Sequence, residues 1–256
     1  MRVDKDYLLN HQYHTADNLQ SRIQLHRFGT NQEPFWPWIA NKYPIKSGDK
    51  ILEVGCGPGT FWLDVINTMP QNCEITLTDF SPGMIEAAKK NLAQFSQFHF
   101  ETADVEHLSY ADQSFDVALA HFMIYHADQP IAALQEIKRV LKNSGFAGIL
   151  LPSHTNMEKL FNIIQCENPI QALKFSAEIA IDVIPQYFSA INHYIHKDEL
   201  KLTEVDPIIT YVQSLSKMNE KSEEFYTNAR QLLTNYIKQQ GSLTIATTQH
   251  LFIAYK

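Results

Sequence analysis

An apolar strand that runs directly into three closely spaced glycines constrains the fold of this chain more than any other feature. Residues 51–60 read Ile-Leu-Glu-Val-Gly-Cys-Gly-Pro-Gly-Thr. Glycine adopts positive φ without strain and lets a ligand approach the backbone closely. A helix that begins at Thr60 would present its free N–H groups beside the turn. The pattern therefore predicts a strand–turn–helix unit that cradles a ligand.

The chain from Lys50 to Leu151 alternates between short apolar strands and helices. We predict strands at 50–54, 74–78, 98–102, 115–120 and 145–151, and helices at 60–69, 82–92 and 130–141. Ser81 followed by Pro82 is a start signal for the second of these helices. Such alternation is typical of βαβ units, whose parallel sheet is covered by helices on both faces.

The segments on either side of this alternating core follow other patterns. Residues 1–47 are rich in aromatic residues and histidine and predict a helical cover, with helices at 17–28 and 36–43. Residues 153–187 predict an inserted helical cap. Residues 188–256 predict closing elements, with strands at 188–195, 200–205 and 243–255. We therefore expect a single domain whose core is 48–152.

Composition excludes several classes of protein. The 256 residues carry 21 Lys and Arg against 28 Asp and Glu, a net charge of −7 that argues against a general nucleic-acid binder. No run of about 18 apolar residues predicts a membrane span, and the N-terminus has no secretory pattern. Three widely spaced cysteines predict neither disulfides nor zinc. We expect a cytoplasmic protein, monomeric or homodimeric, without a metal.

The glycine turn differs from the two common phosphate-binding motifs. It lacks the Gly-Lys-Ser/Thr of a P-loop. Compared with a dinucleotide fingerprint, its third glycine comes one position early and Thr60 occupies the expected slot. Glu53 precedes the turn, where a carboxylate repels a pyrophosphate and attracts a cation. The turn therefore favours a cationic, amino-acid-like ligand over a nicotinamide dinucleotide.

Two aspartates end the next two predicted strands. Asp79 follows the turn by about twenty residues, and a carboxylate there can accept both hydroxyls of a ribose. The neighbouring Phe80 can pack on an adenine ring. Asp104 can accept from the exocyclic amine of adenine. Helix capping is the alternative role for either aspartate.

These motifs resemble those of class I S-adenosylmethionine-dependent methyltransferases, in the branch that includes methyltransferase type 11 and ubiquinone/menaquinone-pathway enzymes. The matching segments, within residues 48–152, are LEVGCGPGT, TDFSPGMIEAAKKN, ADVEHLSYADQSFDVALAHFMIYH and ALQEIKRVLKNSGFAGILLP. One departure is Lys-Asn-Ser-Gly at 142–145, where the family usually has Lys-Pro-Gly-Gly. The departure is a turn variation.

The resemblance implies a Rossmann-like three-layer αβα sandwich with a seven-stranded, mostly parallel sheet and an antiparallel last strand. It implies S-adenosylmethionine as cofactor and S-adenosylhomocysteine as product. The cofactor-binding residues that it implies are Glu53, Gly55, Gly57, Asp79, Phe80, Asp104, Val105 and, through its backbone, His121. Arg22, on one helix face with His26, is a candidate for the cofactor carboxylate or an acidic substrate, and a solvated charge is the alternative.

Methyl transfer from a sulfonium is an in-line displacement, which needs a base only when the acceptor is protonated. The candidate bases are Tyr125, His126, His154, His14 and His26. Phe35, Trp36 and Trp38, with Phe161, Phe175, Tyr187 and Phe188, suggest an apolar acceptor pocket. Ala-His-Phe-Met at 120–123 replaces the Asn-Pro-Pro-Tyr of nucleic-acid methyltransferases, so a small-molecule acceptor, including a natural product or peptide, is favoured.

Two other functions remain open on the sequence. A protein of the same fold can bind the cofactor and act only as a sensor. A nicotinamide-dependent oxidoreductase is disfavoured by Thr60 and Glu53.

Overall fold

One mixed sheet of seven strands forms the centre of the protein in this computed structural model, which describes residues 17–216, 218 and 220–256. The strands are β1 (Lys50–Val54), β2 (Glu74–Asp79), β3 (Phe98–Thr102), β4 (Phe115–His121), β5 (Leu141–Pro152), β6 (Ala190–Leu202) and β7 (Leu243–Tyr255). Their order is β3-β2-β1-β4-β5-β7-β6. In this sheet β7 runs opposite to the other six strands, which are parallel to one another. This confirms the predicted sheet.

Helices cover both faces of the sheet. They are α1 (Asp17–Leu25), α2 (Phe35–Ala40), α3 (Thr60–Val65), α4 (Pro82–Asn91), α5 (Pro130–Val140), α6 (Glu158–Ile163), α7 (Ala177–Val183), α8 (Asp206–Ser214) and α9 (Glu223–Gln240). Successive β1 residues point to opposite faces. Ile51 packs in the core that contains α2, α3 and α4, whereas Leu52 packs in the core that contains α5 and α7. The three-layer sandwich is therefore confirmed.

Local start signals act as predicted at α4. The hydroxyl of Ser81 accepts a hydrogen bond from the backbone N–H of Met84 at 3.3 Å, and Pro82 occupies the first helical position. This places the end of β2 and the start of α4 in a fixed relation.

The closing segment differs from the prediction of two strands at 188–195 and 200–205, because β6 is one unbroken strand. Its polar run at 196–199 reads as a break in the sequence, yet these residues pair in register with 246–249 of β7. β6 is an edge strand, and an edge strand accommodates polar and charged side chains because one side of it faces solvent.

The predicted helical cap at 153–187 is only partly helical. It consists of α6, α7 and short 3-10 turns at 169–172 and 184–186, joined by loops. The antiparallel pair of β6 and β7, which α8 and α9 connect in the sequence, packs with α6, α8 and α9 in a third core. This core also contains Leu25 of α1. This core lies beside the carboxyl ends of the parallel strands.

No helix in the ranges that the structure describes has the length and hydropathy needed to cross a membrane.

Candidate functional site

A cavity of about 1460 Å³ lies at the carboxyl ends of β1 to β4, between the sheet, α1 and the β6–β7 strand pair. Typical pockets for one ligand measure about 300–1,000 Å³. The cavity therefore has room for two molecules side by side. The predicted site residues that line it are Arg22, His26, Glu53, Gly55, Gly57, Asp79, Phe80, Asp104, Val105, His121, Tyr125 and His126.

The glycine turn has the backbone conformation that the sequence predicts. Gly55, Gly57 and Gly59 have φ values of 65°, 55° and 76°, which side chains other than glycine adopt at a cost. A Cβ atom on Gly55 would lie 2.6 Å from the Cβ atom of Met123. The turn therefore keeps its backbone open to the cavity and leaves no space for a side chain at its first glycine.

Asp79 ties this turn to the end of β2. Its Oδ2 accepts a hydrogen bond from the backbone N–H of Gly57 at 2.9 Å, and its Oδ1 accepts one from the N–H of Ser81 at 2.8 Å. Burial raises the pKa of this carboxyl to about 6, against the opposing effect of the two hydrogen bonds. A carboxylate held in this way beside a cavity can accept hydroxyl donors or attract a cation.

Glu53 belongs to a hydrogen-bonded chain that sequence reasoning missed. Its carboxylate, 2% exposed, accepts from Trp62 Nε1 at 2.5 Å and from His121 Nδ1 at 2.7 Å. His121 Nε2 lies 2.7 Å from the hydroxyl of Tyr43, whose pKa burial raises well above its ordinary value. Tyr43 therefore keeps its proton and can donate it to Nε2 when the Nδ1 proton of His121 faces Glu53.

Asp104 anchors the loop after β3. Its Oδ1 accepts from the backbone N–H of Glu106 at 3.0 Å. The carboxylate of Glu106 in turn accepts from the backbone N–H groups of Asp128 and Gln129 at 3.0 and 2.8 Å. The loops after β3 and β4 are thereby held together on the same side of the cavity. Val105 is buried at its edge.

The chain matches a family model described as a methyltransferase domain over residues 45–205. It belongs to the class I S-adenosylmethionine-dependent methyltransferases.

Individual relatives and solved structures are also similar to this chain. A demethylmenaquinone methyltransferase of Staphylococcus haemolyticus is 30% identical over 113 residues, which cover 44% of this chain and 47% of that protein. The chain spans about half the length of the curated relatives it matches. The solved YcgJ protein of Bacillus subtilis superimposes with a TM-score of 0.61 at 15% identity, covering 86% of this chain and 98% of that one. A Haemonchus contortus phosphoethanolamine N-methyltransferase 2, solved with S-adenosylhomocysteine, gives 0.60 at 16% identity, covering 100% and 61%.

Two of the candidate bases lie next to each other in the 3-10 turn that follows β4. Tyr125 and His126 both line the cavity. Burial, followed by the positive charges of Arg22 and Lys174, lowers the pKa of His126 to about 3. His126 is therefore neutral at physiological pH and a weak proton acceptor.

The other candidate bases lie in different surroundings. His154 is not among the cavity-lining residues, because its ring turns outward and its Nδ1 lies 2.9 Å from Glu178 Oε2, with 46% of the side chain exposed. His26 lines the cavity, and burial lowers its pKa. His14 lies outside the described residues.

The aromatic residues of the predicted acceptor pocket divide into two groups. Phe35 and Trp36 line the cavity. The others pack in the hydrophobic cores and are not among its lining residues: Trp38, Phe161, Phe175, Tyr187 and Phe188. Phe122, which the sequence analysis passed over, joins the first group, and its φ of 53° is unusual for a bulky residue.

Arg22 occupies the α1 side of the cavity. Its Nε donates to the backbone oxygen of Asn18 at 3.3 Å, one turn earlier in the same helix. Its charge also acts on His126 and Tyr211. The guanidinium thus stands among buried cavity residues instead of being a solvated surface charge.

Proposed function

We propose that this protein transfers the methyl group of S-adenosylmethionine to a small-molecule acceptor. The observation that carries this proposal is that Glu53, Asp79 and Asp104, at or just beyond the carboxyl ends of three adjacent strands, line one cavity with the glycine turn. Ligands bind at this edge of open α/β sheets. The proposal treats the chain as one methyltransferase domain, with core 48–152 and the remaining segments as cover, cap and closing elements.

The residues present fit this cofactor. The positive φ values of Gly55 and Gly57 leave a cradle that a side chain would obstruct. Three carboxylates around the cradle suit a ligand that carries a cationic end, a diol and an amine. When bound, the cofactor supplies a methyl group on a positively charged sulfur, already activated for in-line displacement.

Each site residue has a part in this proposal. Glu53 attracts the ammonium group, with the turn backbone at Gly55 and Gly57 beside it. Asp79 accepts the ribose hydroxyls. Asp104 accepts the adenine amine, with Phe80 and Val105 packing against the ring. His121 lies at the methionyl side, and Arg22 is suited to the cofactor carboxylate.

The acceptor side of the cavity has mainly apolar walls, which exclude water from the reacting atoms. Positioning of this kind supplies roughly 7–11 kcal/mol in favourable cases. Tyr125 and His126 are candidate bases that line the cavity, and the low pKa of His126 makes it effective only for an acceptor that gives up its proton readily. His154 is left out because it lies outside the cavity lining. The demethylmenaquinone methyltransferase relative supports a small-molecule acceptor.

Calorimetry tests the cofactor. We expect S-adenosylhomocysteine to bind the full chain and NAD not to bind, with Asp79→Asn weakening S-adenosylhomocysteine and the exposed control Asp112→Asn leaving it unchanged. Binding of NAD without binding of S-adenosylhomocysteine would overturn the proposal in favour of an oxidoreductase.

Turnover is tested separately with S-adenosylmethionine carrying a ¹³C-methyl group. We expect new ¹³C-methyl signals to appear in the NMR spectrum when the protein is incubated with a small-molecule cell extract, and their chemical shifts report the atom that is methylated. Tight cofactor binding without any such signal contradicts catalysis and favours a sensor.

A further inference from the structure

We propose that His196 and Gln249 form the polar end of an acceptor subsite, which takes an uncharged, mainly apolar ring that carries a hydroxyl or carbonyl oxygen. The proposal presupposes the function proposed above and names the chemistry of the acceptor. We call these two residues the distal pair, because they lie on β6 and β7, whereas the glycine turn follows β1.

The distal pair is built by strand register. His196 of β6 lies directly opposite Gln249 of β7, so their side chains leave the same face of the sheet. Pro152 of β5 lies opposite Gln249 on its other side. All three residues line the large cavity. The unbroken pairing of β6 with β7 thus places two polar side chains next to each other at the cavity.

Gln249 has an unsatisfied amide. The residue is 8% exposed, and among the described residues no donor reaches its buried Oε1. Native proteins leave few buried polar groups without a partner. Rotation of the terminal amide exchanges its oxygen and nitrogen, so it can offer a ligand either an acceptor or a donor.

His196 offers a donor, as its neighbours show. Asn31 Oδ1 accepts from the backbone N–H of Glu33 at 2.9 Å, and Asn31 Nδ2 donates to the carbonyl of Lys197 at 3.0 Å. The amide orientation of Asn31 is thereby fixed. Its Nδ2, 3.3 Å from His196 Nε2, must be the donor in that contact. Nε2 therefore accepts, and the proton of the ring is on Nδ1.

The ring of His196 is neutral, because burial lowers its pKa. Within the described ranges, the hydrogen bond at Nε2 is the only one that the ring makes. The Nδ1–H group can therefore donate to an oxygen atom of a ligand. A ligand hydroxyl or carbonyl satisfies it, and a hydroxyl can also donate to the Gln249 amide.

The nearby carboxylate does not call for a cationic ligand. Asp198 Oδ1 already accepts from three backbone N–H groups, those of Thr30, Asn31 and Glu199, at 3.0, 2.8 and 2.7 Å. Its Oδ2 faces Gly29 so closely that an added Cβ there would lie 2.2 Å away. This carboxylate holds the loop after α1 on β6, and the distal pair beside it remains uncharged.

An aromatic wall connects the distal pair to the end of β4. The ring of His196 meets Phe35 edge-on, with centroids 5.1 Å apart. Phe35 stacks on Phe122 at 6.1 Å and 19°, and Trp36 meets Phe122 edge-on at 6.2 Å. Phe122 directly follows His121 at the cofactor side. A flat apolar ring along this wall would reach from the distal pair toward the methyl group.

The test compares two ring-matched probes, 2-naphthol and naphthalene, by ligand-observed NMR in the presence of saturating S-adenosylhomocysteine. We expect the full chain to bind 2-naphthol about three- to tenfold more tightly, the range of one or two net hydrogen bonds. His196→Phe and Gln249→Leu should each lower this ratio toward one without weakening naphthalene binding, because each replaces a polar group of the subsite by an apolar one. Gln249→Met provides a second, nearly isosteric variant should Gln249→Leu not fold.

The matched control is Thr244→Val, on the same strand but outside the cavity lining, which should keep the wild-type ratio. Calorimetry with S-adenosylhomocysteine on every variant reports folding and the cofactor site. A wild-type ratio of one, absence of probe binding, or a ratio that survives in both distal-pair variants overturns the subsite while cofactor binding stands. Absence of S-adenosylhomocysteine binding to the wild-type chain instead overturns the proposed function.

Discussion

His121 Nδ1 lies 2.7 Å from Glu53 Oε1 in a contact shielded from solvent, although the two residues are 68 positions apart in the chain. β4 and β1 are neighbours in the sheet, and both residues line the cavity. With Tyr43 and Trp62 it forms a line of hydrogen bonds in which the Glu53 carboxylate, next to the glycine turn, accepts from both His121 and Trp62. A buried line of this kind is sensitive to the loss of any member.

Tyr43→Phe should lower the free energy of unfolding by about 1–3 kcal/mol, because His121 Nε2 would remain buried without its donor. Urea denaturation followed by circular dichroism measures the change. Tyr255→Phe is the matched control, since the one hydrogen bond of that hydroxyl with the described residues is exposed and long, at 3.4 Å from Asn192 Nδ2, and it should cost less than about 0.5 kcal/mol. Equal losses in both variants would contradict the buried role of Tyr43.

Glu53→Gln should weaken S-adenosylhomocysteine about ten- to a hundredfold, because a neutral amide replaces the carboxylate proposed to hold the ammonium group. The affinity for methylthioadenosine, which lacks the amino-acid part, should change little. Isothermal titration with both ligands separates a local effect from general damage to the site.

Asp79→Asn serves as the counterpart to that variant. It should weaken both ligands to a similar degree, because both contain the ribose. A Glu53→Gln protein that loses both ligands equally would refute the assignment of Glu53 to the ammonium group.

The affinity for S-adenosylhomocysteine should fall below pH 6, because burial raises the pKa of Asp79 to about 6 and the neutral carboxyl is a poorer acceptor for the ribose diol. At pH 5 the loss should be about tenfold relative to pH 8. Titrations across this range measure it, and Asp79→Asn should remove the dependence.

The affinity for S-adenosylhomocysteine should rise with pH, whereas the contribution of Asp79 to the stability of the ligand-free protein should fall with pH. The folded pKa of Asp79 lies above the unfolded value of 3.8, so the folded state binds the proton more tightly. The contribution of Asp79 to the free energy of unfolding should therefore decrease as pH rises from about 4 to about 6. A contribution that increases over this window, by comparison with Asp79→Asn, would contradict the raised pKa.

Gly55→Ala should destabilise the fold by more than Gly48→Ala. Both glycines have positive φ, 65° and 83°, but an added Cβ meets Met123 at 2.6 Å in the first case and nothing within 4 Å in the second. Gly48→Ala should cost about 1 kcal/mol from backbone strain, and Gly55→Ala about 1–3 kcal/mol more from overpacking. Thermal unfolding compares the two, and Met123→Ala added to Gly55→Ala should recover part of the difference.

The grouping of the glycine turn and the aspartates around one cavity could be predicted because its signals are local. Gly55, Asp79 and Asp104 each lie where a strand ends and a turn begins, and the carboxyl ends of parallel strands meet at one edge of a sheet. The strand boundaries followed from runs of apolar residues, and 98–102 and 243–255 agree with the structure at both ends. Where the polar run 196–199 interrupted such a pattern, the prediction split β6 into two.

The sequence by itself determined the class of fold and the position of the glycine turn with its carboxylates, because spacing within βα units fixes these within short stretches of chain. The tertiary structure alone decided that Tyr43 reaches His121, that His154 turns away toward Glu178, and that His196 stands opposite Gln249. These contacts join residues 24 to 78 positions apart. Packing and strand register determine which residues meet in these contacts, and no pattern within a short stretch of sequence reports either of them.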